Sequence, residues 1–320
     1  MPEAGARAFL FRKSGSSCFG GKARRPSPPE MNRPRAEALI AVLFLGGVPV
    51  TIKGVSADPW VIGIVRLSAA VFLTCLLLPG VRQVFRCRRR DWGVLALIGF
   101  SFGLHWVTYF WGIKLASASV ACIGMATFGV QVSILGMLFL GQKPTVRQII
   151  ALIISLGGTL LVLDEYTLGS DMTTGFLLAL LSGSLYALLP IWHQKFAEVP
   201  VNIRTLGQYL FALPLFLVFL PRARWELTPG DWLGLAYLSI FGTFIAHTLW
   251  IRATTVLPAV TSGLIYYLYV PLAVFFSWLF LNEDIGWSRI IGATLIVGAS
   301  IFGARSGRPR PGRDPVAVSD

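Results

Sequence analysis

Apolar runs recur along the chain at about the length that crosses a bilayer core, roughly 20 residues per helix, each bounded by charged or turn-forming residues. In the first half they cover about 38–56, 60–79, 92–113, 115–140 and 148–163; in the second, about 172–192, 205–221, 232–251, 256–281 and 289–304. Lipid admits only helices or closed barrels, and these runs lack the period-two alternation of barrel strands. The pattern predicts an all-α polytopic membrane protein with ten transmembrane helices. Span 1 is the least hydrophobic, because it carries Gly46, Gly47, Pro49 and Lys53. Residues 1–36 and 305–320 are polar, basic and rich in Pro, and are expected to form disordered tails. The AFLF at 8–11 is too short for a signal-peptide core, and no cleavage site follows the first long apolar run. The segment MNRPRAEALI makes an ordinary basic lead into span 1, so Met31 is an alternative start.

Composition agrees: 55% of residues are hydrophobic and 13% charged, where a soluble domain carries about 25% charged residues. Disorder, a collagen-like fibre and a disulfide scaffold are excluded, since the 33 glycines show no three-residue period and there are 4 cysteines. A net charge of +13 would suggest nucleic acid in a soluble protein, so the placement of the charges matters. With the N-terminus inside, 22 of the 28 Lys and Arg residues fall on the inner side and 5 on the outer, with Arg66 inside a helix. The RCRRR run at 86–90 occupies a short inner loop, and the acidic DEYTLGSD at 164–171 falls outside. The basicity reads as a topology signal: both termini cytoplasmic, in the inner or plasma membrane, with the lipid bilayer and not nucleic acid as partner.

A shift of 141 residues lays Pro49 on Pro190, Pro59 on Pro200, Leu140 on Leu281 and Gly157 on Gly298. RQIIALIISLGG (147–158) then lies over SRIIGATLIVGA (288–299) without a gap. DWGVLA (91–96) lies over DWLGLA (231–236) at a shift of 140, so a one-residue indel separates the two registers. Five spans per half is an odd number, so the second half must cross in the opposite sense. The expected organisation is one membrane domain of two inverted five-helix repeats, 37–163 and 172–304, a common plan of secondary transporters with substrate near the midplane.

Each half resembles an EamA-type repeat of the drug/metabolite transporter superfamily. The resemblance rests on GGVPVTIKG, on WVIGIVR with Arg66, on WGIKLASASVA, and in the second half on YYLYVPLAVFFSWLFLNEDIGWSRIIGATLIVGASIFG. It covers about residues 37–304. Two features of the pattern are absent from the first half: Val130 stands where the second half has Pro271, and Gln142 where it has Glu283. The resemblance implies ten helices around a central cavity lined by spans 1, 3, 4, 6, 8 and 9. Spans 5 and 10 would be peripheral, where a homodimer contact would fall. It also implies export.

Ionisable groups inside a bilayer are functional candidates. Here they are Lys53, Arg66, His105 and His247, with Lys114, His193, Arg252 and Glu283 near helix ends. At about 1.5 Å per residue, His105 lies about 20 Å from the inner end of span 3 and His247 about 22 Å from the outer end of span 8, so the two bracket the midplane. Each imidazole could carry a proton, bind a carboxylate, or simply bond a neighbouring helix. No Asp or Glu occurs inside any span, which disfavours cation export and carboxylate-based proton antiport. Lys53, Arg66 and Lys114 lie toward the outer half and suit an anionic group, although all three could snorkel to the interface. Aromatic residues cluster on the same helices. The expected substrate contacts are Arg66, His105, Trp106, Tyr109, Gln131, His247, Trp250, Tyr266 and Tyr269, with Gln208 also in view. Lys53, Pro49, Pro190, Pro271 and Glu283 are the expected structural or gating positions.

GFSFG at 99–103 is formally G-x-S-x-G, with His105 one turn beyond Ser101. A nucleophile elbow needs a strand, a sharp turn and an orienting acid, whereas the same residues also read as the helix-packing G-x-x-x-G. An intramembrane serine hydrolase is the enzyme-class rival; the expectation is no enzyme. Cys18, Cys75, Cys87 and Cys122 have no metal spacing, and there is no Walker loop, so neither metal nor cofactor is expected. The sequence reads as a secondary transporter exporting small anionic or zwitterionic metabolites such as amino acids. A facilitator or exporter of neutral or cationic drug-like compounds is the alternative.

Overall fold

The computed structural model describes residues 31–115, 125, 127–162, 170–281 and 286–304, and among these there is no strand. Six stretches are long and apolar enough to cross a membrane: Asn32–Gly54, Pro59–Leu77, Arg89–Gly112, Thr173–Lys195, Pro229–Val256 and Ala259–Phe280. Phe128–Leu140, Val146–Leu161 and Trp287–Gly303 are shorter apolar helices, and Val201–Leu217 adds another. Individually the helices are α1 Asn32–Gly46, α2 Val48–Gly54, α3 Pro59–Leu77, α4 Arg89–Leu115, α5 Phe128–Leu140, α6 Val146–Val162 and α7 Ser170–Lys195. They continue as α8 Val201–Leu217, α9 Pro229–Ser239, α10 Ala246–Val256, α11 Ala259–Tyr266, α12 Tyr269–Leu281 and α13 Trp287–Ala304. Large apolar side chains such as Leu138, Leu233 and Phe280 face outward, while Arg66, His105, His193, Arg204 and His247 are buried. This inside-out distribution is what a lipid solvent selects.

Two expected helices are interrupted. Span 1 begins earlier than the hydrophobic run suggests and breaks at Gly47, whose carbonyl accepts both the backbone N–H (3.1 Å) and the hydroxyl (2.9 Å) of Thr51. Pro49 sits in the first turn of α2, where its missing N–H leaves nothing unpaired. Gly47 leaves room for the hydroxyl of Tyr237, which donates to the Phe44 carbonyl at 3.0 Å and would have to shift if a β-carbon were added there. The second break, between α11 and α12, lies just before Pro271, which has no N–H for the Tyr267 carbonyl; Val270 N–H takes it instead at 3.1 Å. Pro190, which the repeat pairs with Pro49, lies inside the unbroken α7. The paired prolines therefore play different parts.

Between α9 and α10 the chain makes a π-helical turn at Ile240–Ile245. The second half has one residue more between Ala236 and Leu281 than the first has between Ala96 and Leu140, and a π-turn is the way a continuous helix absorbs one extra residue. Asp231 opens α9 through a capping box with Thr228.

Two sets of contacts tie distant parts of the chain together at opposite ends of the bundle. At one end, Asp231 accepts from Ser56 N–H and hydroxyl, both at 2.7 Å, joining the α2–α3 turn to the start of α9. Trp60 stacks on Phe219 beside it, ring centroids 3.9 Å apart. At the other, Gln142 donates to Gln194 (2.7 Å) and accepts the Ala259 N–H (2.7 Å), while Gln194 donates to the Thr254 and Leu257 carbonyls. Arg252 pairs with Glu37 at this end. Arg204, which the hydrophobic pattern leaves in a loop, falls inside α8. It is buried and donates to the carbonyls of Val199 (2.8 Å) and His193 (2.6 Å), satisfying groups that the end of α7 leaves open. Gln142→Ala strips the N–H of Ala259 of its acceptor and should cost about 1–3 kcal/mol, read as a lower melting temperature in detergent, while Gln142→Glu retains the acceptor.

Candidate functional site

The start of α3 is fixed by the Asp58 side chain, which accepts the Trp60 N–H at 2.8 Å, with Pro59 in the first turn. Two turns on, Arg66 points into the bundle and is 2% exposed, so it does not snorkel. Its Nε donates to Thr243 Oγ1 at 2.9 Å and its Nη2 to the Gly242 carbonyl at 3.5 Å. Both acceptors belong to the π-turn, which leaves carbonyls free that a regular helix would consume. Thr243 is aimed by its own hydroxyl, donating five residues back to the Leu238 carbonyl at 2.7 Å, and Tyr209 donates to the Thr243 carbonyl at 3.3 Å. The guanidinium lies over the Trp106 ring, 4.1 Å from its centroid. Among the described residues no carboxylate lines this site.

His105 and His247 reach the same cavity from α4 and α10. Ser182 on α7 donates its hydroxyl proton to the His105 carbonyl (2.9 Å), so His105 Nδ1 is the donor toward Ser182 Oγ (2.7 Å) and carbonyl (3.1 Å), and Nε2 keeps a lone pair. The ring is further held against Tyr186, centroids 4.6 Å apart. His247 packs edge-on to Phe102 at 4.9 Å, and its Nδ1 is buried without a hydrogen-bond partner, as are the Tyr186 hydroxyl and Trp250 Nε1. Such orphaned polar atoms cost free energy unless something else meets them.

The cavity bounded by Arg66, His105, Trp106, Tyr109, Tyr186, His247, Tyr266 and Tyr269 measures about 40 Å³. That is room for water, since one water needs about 10–15 Å³, but far below the roughly 300 Å³ at which ligand pockets begin. Tyr109 and Tyr269 meet hydroxyl to hydroxyl at 3.3 Å and Tyr266 stacks on Tyr269, forming one wall.

Of the nine expected substrate contacts, seven line this cavity. Trp250 stands behind Tyr266, centroids 5.5 Å apart, and Gln131 is turned to Thr127 on its own helix. Gln208 is occupied by His193 at the Gln142 end of the bundle. Lys53 is exposed, and Glu283 lies outside the described residues, as does the side chain of Lys114. Sequence reasoning missed Thr243, Tyr186 and Met125. The change of repeat register was a signal for the first, and the Ser182, Tyr186, Pro190 spacing along one face of α7 for the second; Met125 had none. Ser101 donates to the Leu97 carbonyl at 2.8 Å while His105 is engaged by Ser182, so Ser101 and His105 are not paired. Gly99 instead lies against α8, where a β-carbon would come 2.7 Å from the Gly207 carbonyl oxygen, the packing sense of the motif. Thr243→Val leaves Arg66 Nε without its acceptor and should cost about 1.5–3 kcal/mol, seen as a fall in melting temperature that Thr243→Ser largely reverses.

Comparison with known proteins adds the family. The EamA-like transporter family matches residues 37–164 and 173–303. The chain is 24% identical to the uncharacterized transporter YdfC of Bacillus subtilis over 246 residues, 75% of this chain and 78% of that protein. It is 24% identical to the uncharacterized transporter YetK of the same organism over 272 residues, 80% of each chain. A crystal structure of a protein 17% identical in sequence superposes with a TM-score of 0.76, covering 86% of this chain and 97% of that one, which shows a shared fold. With the family pattern matching over most of its length, the chain belongs to the EamA-like transporter family.

Proposed function

We propose that the protein is a secondary transporter working by alternating access, and that its cavity takes a small anionic or zwitterionic metabolite such as an amino acid. The observation that carries this reading is Arg66: a guanidinium buried beside a cavity with no carboxylate to neutralise it. A substrate carboxylate or phosphate supplies the missing charge, with charge-assisted hydrogen bonds, while Trp106, Tyr109, Tyr266 and Tyr269 face its apolar part. His247 Nδ1 and the Tyr186 hydroxyl await polar groups. The ten spans form two inverted halves, and export is the direction.

The two ends of the bundle work as alternate latches. Parting Asp231 from Ser56 opens one mouth; parting Gln142 from Gln194 opens the other; a cavity too small for substrate is the closed form between them. The abundance of Arg and Lys at the Gln142 end orients that end to the cytoplasm of a plasma or inner membrane, with both termini inside.

Arg66→Ala should abolish flux in proteoliposomes while leaving membrane insertion intact, and Arg66→Lys, a point charge without the planar fork, should retain a small fraction. Unchanged flux in Arg66→Ala would overturn the assignment. A thermal-shift screen should show stabilisation of the wild type by carboxylate or phosphate compounds and none by quaternary amines. With Cys87 as sole cysteine, a membrane-impermeant maleimide should label only permeabilised cells; labelling of intact cells would reverse the orientation.

A further inference from the structure

A second cavity is larger than the central one. A groove of about 540 Å³ opens on the lipid-facing surface between α1–α2, α9 and α12, toward the Asp231 end of the bundle. This lies within the range of about 300–1,000 Å³ typical of ligand sites. Its walls are Leu43, Phe44, Val50, Val55, Phe276 and Phe280, and among the described residues no charged side chain lines it. Its two hydroxyls are already committed: Thr51 donates to the Gly47 carbonyl (2.9 Å) and Tyr237 to the Phe44 carbonyl (3.0 Å). Neither hydroxyl has a proton left for a polar guest, which would lose most of its hydration on entering. A hydrocarbon loses nothing there. Leu43 and Phe280, at 45% and 66% exposed, mark the mouth on the surface that faces lipid. The floor is open as well: a β-carbon at Gly54 meets nothing within 4 Å, and one at Gly230 meets only Thr228 Oγ1 at 3.7 Å.

We propose that this groove is a binding site for one lipid acyl chain, taken from the leaflet on the Asp231 side. Glu37 and Phe302, near the two ends of the described chain, lie with Arg252 and Arg147 at the opposite end of the bundle, so the described residues leave the groove to lipid. The groove shares one wall with the central cavity. Phe44, Gly47 and Val50 face the groove, whereas Leu45 and Val48 face the cavity, so the occupant rests directly against the break in α1–α2.

The test uses the full-length protein in liposomes containing phosphatidylcholine with a diazirine midway along one acyl chain. After photolysis, peptides covering 43–55 and 230–237 should carry several-fold more label than the Leu138 surface of α5. Gly54→Trp, which fills the groove where nothing else is touched, should remove that excess and leave the α5 label unchanged; Gly230→Phe serves if Gly54→Trp fails to insert. Even labelling of the groove and α5, or an excess that survives both variants, would overturn the proposal. So would a groove cross-link to a second copy of the chain in place of lipid.

Discussion

A cation held in the interior of a bilayer without a counter-carboxylate sets the terms for the helices around it. Placing an Arg near the centre of a span costs about 2.5–3.5 kcal/mol on insertion scales. One good charge-assisted hydrogen bond returns about 1.5–3 kcal/mol, and a desolvated aromatic face about 2 more. Arg66 has one of each, in Thr243 Oγ1 and Trp106. It is therefore tolerable at rest, with little surplus. The Thr243 hydroxyl and the Gly242 carbonyl both lie in the turn where the helix from Pro229 to Val256 departs from α geometry, and that turn is braced by the Thr243 hydroxyl and by Tyr209. Arg66, the π-turn and the aromatic wall form one unit that leaves net positive charge facing a small cavity.

The two ends of the bundle are tied together with different chemistry. The Ser56–Asp231 contact is a carboxylate wrapped by short neutral donors, backed by the Trp60–Phe219 stack. The Gln142–Gln194 contact is built from amides and backbone groups, with the Arg252–Glu37 ion pair nearby. Gln142 stands where the second half carries Glu283. An amide can donate to Gln194 and accept from Ala259 at once; an ionised carboxylate could only accept.

Much of this architecture is legible in hydrophobic run length, because lipid enforces it residue by residue. The interruption before Pro271 follows from a missing N–H. Seven of the nine expected contacts line the cavity for a related reason, since polar and aromatic groups in a greasy span have nowhere else to go. What the run lengths could not convey depends on which neighbour comes close. The break at Gly47 needs the hydroxyl of Tyr237, nearly two hundred positions away in sequence. Arg204 looks like a loop charge until the end of α7 supplies carbonyls for it. Gln131 satisfies itself on Thr127, a local choice that competes with any ligand.

The π-turn has a further consequence. Its counterpart in the first half, α4, is described as an unbroken helix from Arg89 to Leu115. In a transporter that swaps the shapes of two mirrored halves to turn its opening from one side to the other, identical halves would make the two end states equal in energy. Here one half carries an extra residue and an arginine-filled defect that the other cannot reproduce. If the alternating access proposed above holds, the empty carrier would have a preferred side on which to wait.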